Sequence, residues 1–301
     1  MIDRKPLVSI GLPVYNTESH IGQALDSLLA QDYEDFELII SDNASSDGTR
    51  EICLEYAARD KRVRYYRNER NMGIAWNQNR AFELSSGKYF KWAGGHDYVA
   101  PSFISACKQV LDADSGVVLA YPLARVVDRN EKINGVVPEL IDTRRLPTVA
   151  RVLVVVAKVE HCALELYGLF RTAALRRCRP LSKCIANDHI LMSEISILGS
   201  IALVPEVLFF RRDFAPVWTG DESMAKTFLR LDPEANKQRK IRPFWELGIQ
   251  QLVGAWRLAP LTMTFYLLPL IAYTHYSRWR TQLKRELRRP YLLQEHKVPE
   301  F

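Results

Sequence analysis

The sequence has no Cys-x-x-Cys pair, and its five cysteines (Cys53, Cys107, Cys162, Cys178, Cys184) are scattered and odd in number. That argues against a zinc ribbon or a disulfide framework and for reduced thiols in a cytoplasmic protein. Low-complexity tracts and fixed-period repeats are absent too, so disorder is a poor reading. After the first apolar stretch, residues 11–16 read Gly-Leu-Pro-Val-Tyr-Asn, without the glycine pattern a dinucleotide enzyme requires. Ser86-Gly-Lys-Tyr89 lacks both the upstream glycine and the following Ser/Thr of a phosphate loop. The charged start at residues 2–5 runs into a short apolar stretch with no secretory h-region, which again points to the cytoplasm. No apolar run reaches the roughly 20 residues of a spanning helix. The longest candidate, residues 258–273, holds Pro260 and Pro269.

What is present is an ordinary globular balance, 48% hydrophobic and 25% charged over 301 residues, enough for one large domain or a domain with an appendage. The net charge of +6 suits anionic partners. Much of it sits in residues 275–301, where seven Lys/Arg (Arg278, Arg280, Lys284, Arg285, Arg288, Arg289, Lys297) face three Glu. An apolar stretch backed by such a tail reads as an interfacial or re-entrant segment at a membrane surface. A buried helix pair or an oligomer contact is the competing reading. No nucleic-acid recognition motif accompanies the cations, so nucleic acid is not an expected partner.

Apolar patterning predicts strands at 7–14, 36–40, 63–66, 88–92 and 117–121. Helices are predicted at 17–30, from an Asp47 cap to 58, at 74–84 and at 101–111. That alternation implies βαβ units and a mostly parallel, Rossmann-like sheet flanked by helices. Ligands of such sheets bind beyond the carboxyl ends of the strands, where the loops at 13–16, 42–47 and 94–97 would gather. Beyond residue 125 the pattern loosens. A helix is predicted after Asn187-Asp-His189, ending at Gly199, then two late strands at 201–204 and 207–210 flanking Pro205.

Four segments then fall in order. Residues 8–16 read Val-Ser-Ile-Gly-Leu-Pro-Val-Tyr-Asn, and residues 40–49 read Ile-Ser-Asp-Asn-Ala-Ser-Ser-Asp-Gly-Thr. Asn71-Met-Gly73 leads to Asn79, and residues 87–97 read Gly-Lys-Tyr-Phe-Lys-Trp-Ala-Gly-Gly-His-Asp, with Pro101 beyond. In this order they resemble family 2 glycosyltransferases of the GT-A fold, firmly over 6–125 and loosely over 185–215. The resemblance implies an α/β GT-A domain over 1–215, with a nucleotide-sugar half at 1–125 and an acceptor and catalytic half at 126–215. A helical, apolar and basic extension would follow at 216–301.

The resemblance also implies roles. Asp42 would accept a hydrogen bond from the nucleotide base, although on bare sequence the turn-residue reading prevails and only the register with the other motifs reverses it. Pro13, Tyr15, Asn16, Asn71, Gly73 and Asn79 would shape the donor pocket, and Arg211 would contact diphosphate. Asp188 would be the catalytic base, a role compatible with its capping a helix. Where typical members carry Asp-x-Asp, this chain has Gly94-Gly95-His96-Asp97. Asp97, with His96 as a softer second ligand, would hold a divalent metal, Mn²⁺ or Mg²⁺, or leave the enzyme metal-independent. Many members place a histidine after the arginine; here Asp213 follows Arg211-Arg212. Trp92 reads as core, and the spacing of His161 and Glu165 assigns them no role. The expected activity is transfer of a sugar from a nucleotide-sugar, UDP- or dTDP-linked, to a hydroxyl of a glycan or lipid-linked acceptor. Inversion, and a place in surface polysaccharide or glycolipid synthesis on the cytoplasmic face of the inner membrane, complete the expectation. The alternative is a degenerate fold that binds nucleotide-sugar or a partner enzyme without turnover.

Overall fold

The computed structural model describes residues 5–128, 132–136, 141–158, 164–212, 227–235, 240–288 and 291–292. Cys162, His161, Asp213, Arg289 and Lys297 lie outside the described residues.

The first half alternates as its patterning predicts. Strands β1 (Val8–Val14), β2 (Phe36–Asp42), β3 (Val63–Arg67) and β4 (Tyr89–Trp92) are separated by α1 (Glu18–Leu29), α2 (Thr49–Arg59) and α3 (Ile74–Glu83). They pair in parallel in the order β3-β2-β1-β4. All of β2 and nearly all of β1 is buried, which is why both read as continuous apolar runs rather than alternating ones. Gly11 in β1 is needed for close approach, because a Cβ there would lie 2.7 Å from the Phe90 ring. At the other edge of this layer the buried Glu37 accepts from Ser9 Oγ at 2.7 Å and from Ser86 N at 2.9 Å, pinning β2 to β1 and to the turn before β4.

The second half is mixed. The chain continues through β5 (Tyr98–Val99), α4 (Phe103–Ala113), β6 (Val117–Val127), β7 (Ile133–Val136) and α5 (Thr148–Lys158). A short 3₁₀ turn (Glu165–Tyr167), β8 (Leu169–Arg171), α6 (Thr172–Leu175), α7 (Asn187–Leu198) and β9 (Ser200–Arg212) follow. The three-residue β8 is antiparallel to both β4 and β6 and joins the two halves into one sheet. β9 runs parallel to β6, and β5 closes the edge against β9. Where the sequence predicts two late strands, the structure has one of 13 residues. Val204 pairs with Pro122 and Val207 with Leu123, so Pro205 and Glu206 form a bulge. Proline offers no N–H to the ladder, and the bulge absorbs it without ending the strand. The 125–150 region, which the sequence reads as loop and short strands, contributes the end of β6, the short β7 and the start of α5.

The C-terminal extension is helical as expected: α8 (Pro243–Leu258) and α9 (Leu261–Arg288), with a two-strand ribbon of β10 (Lys240–Ile241) and β11 (Tyr291–Leu292). Pro260 precedes α9 instead of interrupting it, and the helix continues through Pro269. Leu267 and Ile271 of α9 pack with Ala255 of α8, Val152 and Val156 of α5 and Ile197 of α7 in a separate apolar cluster. Among the described residues, no helix is long and apolar enough to cross a membrane.

Candidate active site

Three loops meet at the carboxyl edge of the parallel strands, and side-chain amides and carboxylates tie them together. Asn16, held at φ 49°, donates its backbone N–H to Ser45 Oγ at 3.0 Å, while its Oδ1 accepts from Ser46 N at 2.9 Å. Left-handed backbone suits asparagine better than most residues. Asp47 accepts from Glu18 N and Thr49 N, both at 3.1 Å, so it serves the first turns of α1 and α2 together. Asn71 Oδ1 accepts from Asn43 Nδ2 at 2.7 Å and from Gly73 N at 2.9 Å. Gly73 has φ 88°, and a Cβ there would collide with the Leu231 carbonyl, so glycine is required twice over. Pro13 and Tyr15 line the same edge, partly buried.

Asp42 ends β2 inside this frame and is fully enclosed. Its Oδ1 accepts from Ser45 N at 2.9 Å; its Oδ2 accepts from Tyr65 at 2.6 Å and from Arg67 at 2.8 Å. Tyr65 and Arg67, two partners that the sequence reading missed, project from alternate positions of β3, the neighbouring strand. Asn79 goes elsewhere: its amide spends both ends on the backbone of Leu181, at 2.8 Å each way. That fixes the segment leading to α7, a bracing position between the two halves.

On the other side of the rim, the turn after β4 folds Asp97 back over Gly94, where a Cβ would sit 2.5 Å from Asp97 Oδ2. Asp97 is 4% exposed and its Oδ1 accepts the Arg212 backbone N–H at 2.9 Å. The Arg212 side chain is also committed, donating to the His96 carbonyl at 2.6 Å and to Gln23 Oε1. His96 keeps its imidazole near the surface, with Nε2 3.7 Å from Asp97 Oδ1. Among the described residues no group of three His, Cys, Asp or Glu forms a metal cluster. One carboxylate and one imidazole hold too few ligands for a hard cation alone. They fit one that arrives with diphosphate oxygens as its other ligands.

Asp188 lies in the first turn of α7, after Ala186 turns the chain at φ 63°. Asn187 Nδ2 anchors that turn on the Ser182 carbonyl at 2.9 Å. The unsatisfied N–H groups of a helix start favour an ionised carboxylate there. Asp97, Asp188 and Arg211 all act electrostatically on the Tyr167 hydroxyl, which burial pushes well above its ordinary value; the two carboxylates add to that rise and Arg211 opposes it. Tyr167 also links the two halves of the sheet, its carbonyl accepting from Lys91 of β4 at 2.6 Å, and sequence reasoning did not find it.

Two further buried ionisable groups complete the site. Lys91, in the middle of β4, is 1% exposed and donates to the Tyr167 carbonyl at 2.6 Å and the Trp92 carbonyl at 3.2 Å. Burial pushes it down to about 7, against the pull of Cys107 and Asp97. A lysine within an otherwise apolar strand was its visible signal. Glu165 is 3% exposed, with Oε2 lacking any hydrogen-bond partner. Burial raises it to about 7, and the Asp188 charge adds to the rise. Trp92 is core, as the sequence reads, donating to the Gln78 carbonyl at 2.9 Å.

A parallel edge of order β3-β2-β1-β4, joined through the antiparallel β8 to a mixed second half, is the arrangement of the GT-A fold. The model of glycosyl transferase family 2 matches residues 9–165, and the chain belongs to that family. Chondroitin synthase of Escherichia coli is 33% identical over 128 residues, which is 42% of this chain but 18% of the relative. An uncharacterized glycosyltransferase of Methanocaldococcus jannaschii is 29% identical over 43% of this chain and 45% of its own. The chain thus matches less than half the length of either relative. In fold it resembles S. aureus TarS 1–349 in complex with UDP-GlcNAc, with a TM-score of 0.64 and 19% identity, covering 92% of this chain and 74% of that one.

Proposed function

We propose that this glycosyltransferase moves a sugar from a UDP- or dTDP-linked donor to a hydroxyl of a glycan or lipid-linked acceptor, with inversion, in surface polysaccharide or glycolipid synthesis. The observation that carries the reading is the carboxyl edge of β1, β2 and β4, where the Asp42 loop and the turn holding Asp97 meet and Asp97 accepts the Arg212 N–H at 2.9 Å, next to Arg211.

In this reading Asp42 takes the base N–H. Since its carboxylate is enclosed, the Arg67 guanidinium, 35% exposed, turns outward as the base enters. Pro13, Tyr15 and the Asn16, Asn71 and Gly73 loops frame that pocket. Asp97 and His96 would hold a divalent cation, which supplies charge neutralisation to the departing diphosphate. Arg211 adds a guanidinium to the same oxygens. Asp188 removes the proton from the acceptor hydroxyl as its oxygen bonds to the anomeric carbon. The bond from that carbon to the diphosphate oxygen breaks on the opposite face, and the nucleoside diphosphate leaves with the electron pair. Division at residue 215, and a station on the cytoplasmic face of a membrane, belong to the same proposal. Support for a polysaccharide product comes from the likeness to a chondroitin synthase.

The test is donor hydrolysis across a panel of nucleotide-sugars with Mn²⁺, Mg²⁺ or EDTA, comparing wild type with Asp97→Ala. Release of nucleotide from one donor, lost with EDTA and in the variant, supports the reading and names the sugar. Release that survives EDTA removes the metal from it. No binding and no release from any donor overturns it.

A further inference from the structure

The helical extension leaves a broad apolar surface uncovered. On α8, Trp245, Ile249, Val253 and Trp256 recur every three or four residues and are 37–62% exposed. On α9, Phe265, Tyr266 and Tyr273 are 71–75% exposed. The two stripes adjoin: an apolar cleft of about 450 Å³ lies between Val253 and Trp256 of α8 and Pro269 and Ala272 of α9. Soluble monomers rarely expose contiguous apolar surface of this kind without a partner.

The charge pattern says what covers it. α9 continues past Tyr276 into exposed Arg280, Lys284 and Arg288. At helical spacing, Arg280 falls on the same face as the aromatics, with Lys284 and Arg288 beside it. The helix carries one acidic residue, Glu286, and that is buried, accepting from Phe244 N at 3.2 Å and Trp245 N at 3.3 Å. The outward face of α9 therefore holds aromatics and cations and no negative charge. Tryptophan and tyrosine prefer a boundary where one end of the ring is apolar and the other wet, and cations beside them suit anionic headgroups. A second copy of the chain would bring two such cationic faces into one interface, with no outward carboxylate on either α9 to meet them.

We propose that the α8–α9 face docks on an anionic lipid surface, with the aromatics at the headgroup boundary and the α9 cations on the phosphates. The inference deepens the membrane-borne acceptor reading, but its test does not depend on the donor or acceptor. The full chain is sedimented with phosphatidylcholine vesicles, with and without phosphatidylglycerol, at low and high salt. Two variants are compared: Arg280→Glu/Lys284→Glu/Arg288→Glu, and Trp256→Ser/Phe265→Ser/Tyr273→Ser. All six positions are exposed, and circular dichroism and donor hydrolysis verify that each variant is folded. Wild type is expected to bind anionic vesicles selectively and to release with salt. The charge variant should bind roughly a hundredfold more weakly, at about fivefold per cation, and the aromatic variant should lose binding to both vesicle types. Equal binding to neutral and anionic vesicles, or no change in either variant, overturns the proposal. So does a wild-type dimer by light scattering that ignores vesicles and becomes monomeric in the aromatic variant, since the face would then be covered by a second copy. Hydrolysis that persists in both variants while vesicle binding is lost separates this result from any failure of the transferase reading.

Discussion

Replacing Glu165 by glutamine should remove a decline in stability with pH over a defined window. Glu165 is buried beside Asp188 with one oxygen unpartnered, and burial raises it from the ordinary 4.5 to about 7. The folded state thus favours the protonated acid. Its contribution to stability is fully present below pH 4.5, declines as pH rises, and is lost once pH passes about 7. At 1.36 kcal/mol per tenfold difference in proton affinity, the loss amounts to about 3 kcal/mol. Glutamine is neutral throughout and nearly the same shape. The Glu165→Gln variant should therefore gain about 3 kcal/mol on wild type between pH 4.5 and pH 8, a relative rise in Tm of roughly 6 °C at this chain length. Thermal or urea unfolding across pH 4.5–8.5 measures it directly. Asp188→Asn supplies the internal control: with its charge removed, the wild-type decline should move to lower pH. A stability difference between Glu165→Gln and wild type that stays constant with pH would refute the reasoning, and with it the assignment of an uncharged acid at Glu165.

Three further outcomes follow from the same geometry. Asp188→Asn should cut transfer by about 10²–10⁴-fold while nucleotide binding by calorimetry is unchanged; equal loss of both would make Asp188 a donor-binding group. Asp42→Asn removes the charged partner of Arg67 and Tyr65, and should cost about 2 kcal/mol in urea unfolding and weaken nucleotide binding at least tenfold on titration. Gly73→Ala forces a Cβ toward the Leu231 carbonyl at φ 88°, so unfolding should show a loss of about 1–3 kcal/mol; no loss would mean that residues 231–235 are not docked on this loop.

The parallel half was legible because its signals are local. Each strand from β1 to β4 is bounded by its own loop, and β1 and β2 are buried enough to read as apolar runs. The second half hides for the opposite reason. β8 has three residues and β5 two, and neither carries a pattern; each exists because a longer strand lies beside it. β9 passes Pro205 only because Pro122 faces the bulge on β6, a pairing more than 80 residues apart. The extension's helices were foreseen, but Pro260 and Pro269 read as interruptions where the structure begins one helix and carries it through.

The same division runs through the site. Asp42, Asp97 and Asp188 stand in short motifs at the ends of elements, so order along the chain was enough to single them out. Tyr65, Arg67, Glu165 and Tyr167 gain meaning only from what the sheet brings near them. Lys91 shows why this matters for catalysis. It stands on the strand that leads to Asp97, and its ammonium reaches 76 residues along the chain to the carbonyl of Tyr167, whose hydroxyl lies in the field of Asp97, Asp188 and Arg211. A buried amine costs stability unless its donors are met, and here two carbonyls meet them. The bond that satisfies the lysine therefore also ties the 3₁₀ turn of the second half to β4, the strand that leads to Asp97, so under the proposed mechanism its loss would loosen the site as well as the core.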